Sequence, residues 1–140
     1  MVKDFEFFLK KGDAKKQIPN KNLAFATFKD GLERIEFAKQ LLNKAKPKYV
    51  LENAYESMRE ASDAVLYLNG FKSFSHEDSI VYLAKEDFNE QDITEFDRFK
   101  KIRNGIKYYG KDCEISDAEQ AIQLADKIIT KIKEKIKFQA

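Results

Sequence analysis

Histidine and cysteine are almost absent from this chain of 140 residues, which contains one of each, His76 and Cys113. A single cysteine excludes an internal disulfide framework and every metal site built from several cysteines. A single histidine excludes the paired Glu-x-x-His motifs of di-iron helical bundles. We interpret Cys113 as a small loop residue rather than as a reactive thiol.

Glycine, proline and long apolar runs are also scarce. Only seven residues are Gly or Pro, which favours long helices over sheet. No stretch approaches the roughly 20 apolar residues that a membrane span needs. Asp4 and Glu6 interrupt the first apolar run, which excludes a secretory signal. We therefore expect a cytoplasmic protein with no membrane segment.

Motifs of the classical enzymes are missing as well. The sequence has no glycine-rich phosphate loop, no nucleophile elbow and no Cys/His spacing typical of a metal site. We therefore expect neither a metal nor a cofactor.

Charge is plentiful but unevenly distributed. Charged residues make up 36% of the chain, and the length predicts a single domain over 1–140. The formal charge is +6 over residues 1–50, −8 over 51–99 and +4 over 100–140. This segregation favours self-association or a partner selected by charge.

Apolar residues recur at helical spacing along most of the chain. A short N-terminal helix over 1–12 is predicted from Val2, Phe5, Phe8 and Leu9. Capping-box patterns begin at Ser75 and Ser116, and no run has the period of a strand. We expect an all-α, up-and-down bundle of four long or medium antiparallel helices plus short helices. After a polar connection over 13–22, the further helices are predicted over 22–46, 47–69, 76–85, 92–110 and from Ser116 onward. The last of them has the most regular apolar stripe, which consists of Ala118, Ala121, Ile122, Ala125, Ile128, Ile129, Ile132 and Ile136.

The helix predicted over 92–110 has the most informative pattern, and we take it as the central helix. One side is apolar, and six cations with no acid lie between Arg98 and Lys111. Such a basic stripe is a candidate anion-binding surface. Gly105 lies on the outward side, where it favours close approach of a second helix across an interface. The apolar side consists of Phe96, Phe99, Ile102, Ile106 and Tyr109.

Residues 103–110, RNGIKYYG, resemble the motif of the HEPN domains, a family of small helical modules. In that family an Arg, often followed by Asn or Asp, precedes a His by four to six residues near the end of the penultimate long helix. Arg103 and Asn104 match this pattern. The histidine positions hold Tyr108, Tyr109 or Gly110 instead. The resemblance implies a HEPN-like bundle that forms a homodimer through the Arg103 helix.

Ribonuclease members of the family are described as metal-independent, with the histidine acting at the ribose 2′-hydroxyl and the arginine steadying the phosphate. Tyrosine, which normally titrates near pH 10, is a poor base at neutral pH. The resemblance therefore implies a nucleotide- or RNA-binding module, with Arg103 and Tyr108 as the catalytic pair if cleavage remains. The expected binding residues are Arg103, Asn104, Lys100, Lys107, Tyr108 and Lys111.

Some family members are toxins that a minimal nucleotidyltransferase silences, in some systems by attaching AMP to a tyrosine two residues beyond the histidine. That position is Gly110 here, so neither neighbouring tyrosine is assigned as a modification site. The resemblance still implies a module of toxin–antitoxin type with a nucleotidyltransferase as its partner.

Other interpretations of the same residues stay open. Arg103 can instead pair with an acid of the third helix, such as Glu52, Glu56 or Glu60. The domain can be an adaptor with no nucleic-acid role, or a ribonuclease that uses Tyr108 or His76. His76 itself fits a structural place in a capping segment. If the binding interpretation is correct, Arg103→Ala weakens binding of RNA or nucleotide without unfolding the bundle.

Overall fold

The computed structural model describes residues 4–86 and 88–139, and within them it leaves the side chains of His76, Phe138 and Gln139 undescribed. The architecture is an all-α helical bundle with one small sheet, which confirms the predicted fold class. In chain order the elements are α1 (Phe5–Lys11), β1 (Ala14–Lys16), α2 (Lys21–Leu41), α3 (Pro47–Leu68), β2 (Phe71–Ser73), α4 (His76–Lys85), α5 (Glu90–Tyr109) and α6 (Ile115–Gln139).

The central helix is α3 and not α5, contrary to the expectation from sequence. Helix α3 contacts α2, α4, α5, α6 and β2. Apolar and small residues recur on more than one of its sides, so it is covered by neighbours nearly all round. Its buried residues are Val50, Leu51, Ala54, Tyr55, Ser57, Met58, Ala61, Ser62, Ala64, Val65, Leu66 and Leu68.

The neighbouring helices α2 and α3 pack closely at Gly31. A Cβ added at Gly31 would lie 3.1 Å from the carbonyl oxygen of Ser57 and 3.4 Å from the amide nitrogen of Ala61. Pro47 opens α3, where its fixed φ suits the first turn. Helix α2 ends at Leu41, five residues before the predicted end. Asn43 then adopts a left-handed φ of 66°.

A two-stranded antiparallel sheet is present where we predicted only connections. Ala14 pairs with Ser73, Lys15 with Lys72, and Lys16 with Phe71. Three-residue strands are too short to show a period of two. Gly70 makes the sharp turn from α3 into β2, with φ of +84°, and an added Cβ there would lie 2.8 Å from the Gln17 carbonyl oxygen.

Helix α1 packs on the bundle through aromatic side chains, as predicted for the N-terminal helix. Phe5 and Phe8 are buried. The Phe5 ring meets those of Tyr82 and Phe71 edge-on, with centroids 4.7 and 5.2 Å apart. Val2, which the prediction also used, lies outside the described residues.

The apolar stripe predicted for the last helix is confirmed, since Ala118, Ala121, Ile122, Ala125, Ile128, Ile129, Ile132 and Ile136 are all buried. The predicted capping boxes are not confirmed. Helix α6 begins before Ser116, and the Glu114 amide donates to the Asp117 carboxylate at 3.0 Å. Ser75 precedes α4 but makes no side-chain capping hydrogen bond. Asp117 therefore has the role that the pattern assigned to Glu119, because it accepts from the backbone amide of the residue that precedes the helix.

Gly31→Ala and Gly105→Ala form a matched pair of variants that tests which of the two glycines is required for close packing of two helices. We expect Gly31→Ala to lower the free energy of unfolding by about 1–3 kcal/mol, because its Cβ meets the backbone of α3. Gly105→Ala should raise it by up to about 1 kcal/mol, because alanine favours helix and only the flexible Lys111 side chain must move. Urea unfolding of both variants measures this, and equal destabilisation would contradict it.

Candidate binding cleft

A cleft of about 380 Å³ lies where the end of α1, the start of α4 and the second half of α5 meet. It brings together Lys100, Arg103, Asn104 and Tyr108, four of the six residues predicted for binding. Spacings of three and four residues place these side chains on one side of α5. The complete lining is Lys11, Asp13, Ser75, Glu77, Lys100, Arg103, Asn104 and Tyr108.

The other two predicted residues do not line this cleft. Lys107 is exposed, with its Nζ 5.7 Å from the centroid of the Tyr108 ring. Lys111 folds back over α5, and its side chain covers the position of a Cβ at Gly105. Within the described residues, the Lys111 side chain therefore covers the outward side of Gly105.

Arg103 is buried, with 5% of its surface exposed. Its Nη2 lies 3.2 Å from Oε1 of Glu56, and its Nη1 donates to Oδ1 of Asn104 at 3.3 Å. The guanidinium carbon lies 5.7 Å from the centroid of the Tyr55 ring. The pairing with an acid of the third helix is therefore confirmed at Glu56.

The guanidinium also keeps unused hydrogen-bonding capacity. Its Nε is buried and has no hydrogen-bond partner among the described residues. A buried donor without a partner costs roughly 1–3 kcal/mol. Arg103 also lines the cleft, so an acceptor that enters the cleft approaches its guanidinium.

Other charged side chains of α3 extend the Arg103–Glu56 ion pair into a larger hydrogen-bonded network. Oε2 of Glu56 accepts hydrogen bonds from Nε and Nη2 of Arg59, at 3.0 and 2.9 Å. Nη1 of Arg59 donates to Asp63 at 2.9 Å, and the Ser79 hydroxyl donates to Asp63 at 2.6 Å. Because these residues are three and four positions apart, they form one row on α3 that faces α4 and α5.

Two acids, Asp63 of α3 and Asp78 of α4, are harder to ionise than usual. Burial raises the pKa of Asp63 to about 6; the hydrogen bond from Ser79 and the charge of Arg59 lower it, and the charges of Asp78 and Glu56 raise it further. Burial also raises the pKa of Asp78, which accepts a hydrogen bond from Ser73. Asp63 is therefore only partly ionised near pH 6.

The basic stripe of α5 is largely neutralised, which corrects the expectation of an unbroken cationic surface. Lys100 and Lys101 lie 3.0 and 3.1 Å from Asp97, and Arg98 lies 3.1 Å from Glu95. Each acid precedes its partner by one turn, and both acids lie before Arg98, outside the window that defined the stripe. Among the described residues, only Lys107 and Lys111 of the six cations have no ion pair.

Tyr108 and Tyr109 are both exposed, by 63% and 77%. Tyr108 borders the cleft, where its ring is available for stacking. Tyr109 was predicted on the apolar side of α5, and this was wrong. The buried part of that side reaches no farther than Ile106, because the helix ends at Tyr109 and Gly110 turns the chain away.

Four lining residues were not predicted: Lys11, Asp13, Ser75 and Glu77. They reach the cleft because the strands bring the N-terminal segment against residues 71–74, where the Phe74 amide donates to the Asp13 carbonyl at 2.7 Å. Lys11 and Asp13 form an ion pair at 3.3 Å. Only knowledge of that strand pairing would have identified these residues.

His76 was an open candidate for catalysis. Its side chain lies outside the described part of the structure, while Ser75 and Glu77 on either side of it both line the cleft. The Oγ of Ser75 is buried and has no hydrogen-bond partner among the described residues. The start of α4 thus borders the cleft together with α5.

Cys113 is half-buried, and burial together with Asp117, Asp112 and Glu114 raises the pKa of its thiol to about 11. The thiol is therefore protonated at neutral pH, which disfavours a nucleophilic role. Across residues 4–86 and 88–139, no group of three or more His, Cys, Asp or Glu side chains is placed to hold a metal ion.

Comparison with known proteins adds no relative. No protein-family model matches the chain. No curated protein matches it either. Within the described residues, none of the helices combines the length and the apolar character that crossing a membrane requires.

Asp63→Asn tests the buried acid, because asparagine still accepts from Ser79 but cannot ionise. The folded pKa of about 6 lies above the ordinary 3.8, so the contribution of Asp63 to stability is full below pH 4 and is lost as pH rises through 6. Between pH 4 and 7, the free energy of unfolding of the parent should fall relative to the variant by at most about 3 kcal/mol. Urea titrations across this range measure the difference, and parallel profiles would contradict the assignment.

Proposed function

We propose that this chain is a HEPN-like module that binds nucleotide or RNA, with a phosphate of the ligand held in the cleft at Arg103. The observation that carries the proposal is the buried guanidinium at the cleft, with one nitrogen lacking a partner. Arginine binds phosphate through a planar fork of donors. Such charge-assisted bonds are strongest where water is excluded.

The neighbours of Arg103 suit the same ligand. Asn104 offers an amide beside the guanidinium, and Lys100, which is paired with Asp97, offers an ammonium donor at the same wall. The exposed ring of Tyr108 provides a flat surface on which a base can stack. A phosphate and an adjacent base are therefore both accommodated by one side of α5.

The pairing with Glu56 is compatible with this role. Glu56 shares its charge with Arg59 as well as with Arg103. The carboxylate therefore positions the guanidinium without using all of its donors. The positioning also means that Arg103→Ala is a poor test, because removing one member of a buried ion pair costs about 3–5 kcal/mol of stability.

A matched pair of double variants avoids that problem. Arg103→Gln with Glu56→Gln removes the cleft arginine and its acid together. Arg98→Gln with Glu95→Gln removes the same charges from a more exposed ion pair of α5 that lies outside the lining. We expect the first to weaken binding of a labelled RNA dinucleotide at least about tenfold, because a bond to a charged group contributes roughly 1.5–3 kcal/mol. The second should bind like the parent.

Fluorescence anisotropy in the presence of a chelator measures that binding, and Tyr108→Ala should weaken it about tenfold as well, through lost stacking. Equal binding by the cleft double variant and the parent would refute the proposal. The same samples also report cleavage on a gel. Loss of RNA cleavage in Tyr108→Phe would favour the ribonuclease alternative. The position of Tyr108 and the start of α4 at one cleft supports that alternative.

We further propose that the module works as a homodimer through α5, in a toxin–antitoxin system whose second component is a minimal nucleotidyltransferase. The support is the pair of exposed rings at the end of α5, Tyr108 and Tyr109, since aromatic side chains are enriched at interfaces. In the adaptor alternative, the same surface binds a protein partner and no nucleic acid. Partner binding that persists after nuclease treatment and without Arg103 would favour this alternative.

Tyr109→Glu tests the dimer, because a charge on that ring position opposes burial in an interface. Light scattering should show the mass of two chains for the parent and of one chain for the variant. Tyr49→Glu is the control, since Tyr49 is an exposed tyrosine of α3, and it should stay dimeric. A parent with the mass of one chain would contradict the dimer but not the binding proposal.

A further inference from the structure

A second cleft, of about 470 Å³, borders the same turn between α1 and β1 that forms one wall of the Arg103 cleft. Lysine is the commonest residue of its lining, and Glu6 is the single acid there. We call Lys10, Lys15 and Lys16 of this cleft, together with Lys72 of β2, the N-terminal lysine surface. The complete lining is Glu6, Leu9, Lys10, Gly12, Ala14, Lys15 and Lys16.

The lysines of this surface have no ion-pair partner among the described residues, in contrast to most cations of α5. All four lysines are exposed, and none of them forms an ion pair within the described residues. The lysines that line the Arg103 cleft, Lys11 and Lys100, are both paired with acids. Among the described residues, unpaired positive charge near the Arg103 cleft therefore lies on its N-terminal side as well as at Lys107 and Lys111.

The register of the sheet holds two of these lysines against each other. Lys15 and Lys72 are directly opposite in the antiparallel pair, and both are exposed. Like charges in that relation are destabilising. The strands fix the spacing of the two backbones, so the side chains can separate only to a limited extent. An anion bound between them would offset the repulsion.

An aromatic side chain accompanies the lysines. Phe74 is 59% exposed, and the Nζ of Lys72 lies 5.5 Å from the centroid of its ring. The hydrogen bond from its amide to the Asp13 carbonyl ties Phe74 to the shared turn. Free cations beside an exposed ring are the combination that single-stranded nucleic acid uses, with phosphates on the cations and a base on the ring.

The two clefts are separated by one segment of chain. Lys11 and Asp13 line the Arg103 cleft, while Gly12 and Ala14 line the second. Alternate residues of the same short stretch therefore face different clefts. A mononucleotide occupies one of them, whereas a strand that crosses residues 11–14 contacts both.

We propose that the ligand is a single strand of RNA several nucleotides long, with one phosphate at Arg103 and neighbouring phosphates on the N-terminal lysine surface. This inference rests on the proposed function and names its substrate class. The stacking positions are Tyr108, which lines the Arg103 cleft, and Phe74, whose ring lies beside Lys72. The strand supplies the anions that the Lys15–Lys72 pair lacks.

Binding of labelled single-stranded RNA of 2, 4, 8 and 12 nucleotides, measured by anisotropy with a chelator present, tests the length of the ligand. Affinity should rise with length until the strand covers both clefts. Lys15→Gln with Lys72→Gln should weaken binding of the 12-mer at least about fivefold and leave the dinucleotide unchanged. For two lost phosphate contacts, the slope of log K against log salt should fall in magnitude by about 1.4.

Lys133→Gln with Lys137→Gln is the matched control, because it removes the same charge from exposed positions of α6 that line neither cleft. It should bind every length like the parent. The Lys15/Lys72 variant also relieves a like-charge contact, so its thermal midpoint should not fall, which separates lost binding from lost folding.

The outcomes distinguish this inference from the function on which it rests. A dinucleotide that binds through Arg103 while longer strands gain nothing would overturn the inference alone. Binding of the 12-mer that requires Arg103 but is unchanged in the Lys15/Lys72 variant would also overturn the inference. If neither dinucleotide nor 12-mer is retained, both the inference and the proposed function fail.

Discussion

The ion pair between Glu56 and Arg103 joins the core of this protein to its cleft. Glu56 belongs to α3, the helix that most of the others contact, and Arg103 belongs to α5 at the surface of the bundle. Both charges are taken out of water, which costs several kcal/mol per ion unless partners compensate. The compensation comes from Arg59 and Asp63, so the pair is one part of a larger network.

That network explains why the site lies where it does. Two arginines and two acids on α3 and α5 balance each other, and Ser79 adds the contact to α4. A side chain held by such a network loses little freedom when a ligand binds, because its position is already determined. The same arrangement means that Arg103 contributes to stability as well as to the cleft, so changes at this position affect both properties.

Residue periodicity was sufficient to predict the helices, and insufficient for the contacts between them. The stripe of α6 was correct in every member because its period is regular and one side is fully covered. The sheet was missed because its pairing joins residues 14–16 to 71–73, which no local pattern records. The cations of the basic stripe were predicted to be unpaired because the acids of α5 that pair with them lie one turn earlier. Arg103 was identified by the family resemblance, while its partner Glu56 was one of three equivalent choices until α3 and α5 were placed.

The pairing of β1 with β2 also has a consequence for the order in which the chain assembles. The hairpin of α2 and α3 has a short connection and forms from local contacts. It brings Asn20 beside Tyr67 and Gln17 beside Gly70, where backbone hydrogen bonds of 2.9 Å form. Once that hairpin exists, the entropy of closing the loop between the strands is already lost. The wall that carries Lys11 and Asp13 therefore forms at little further entropic cost once α2 and α3 have paired, so one wall of the cleft depends on that hairpin.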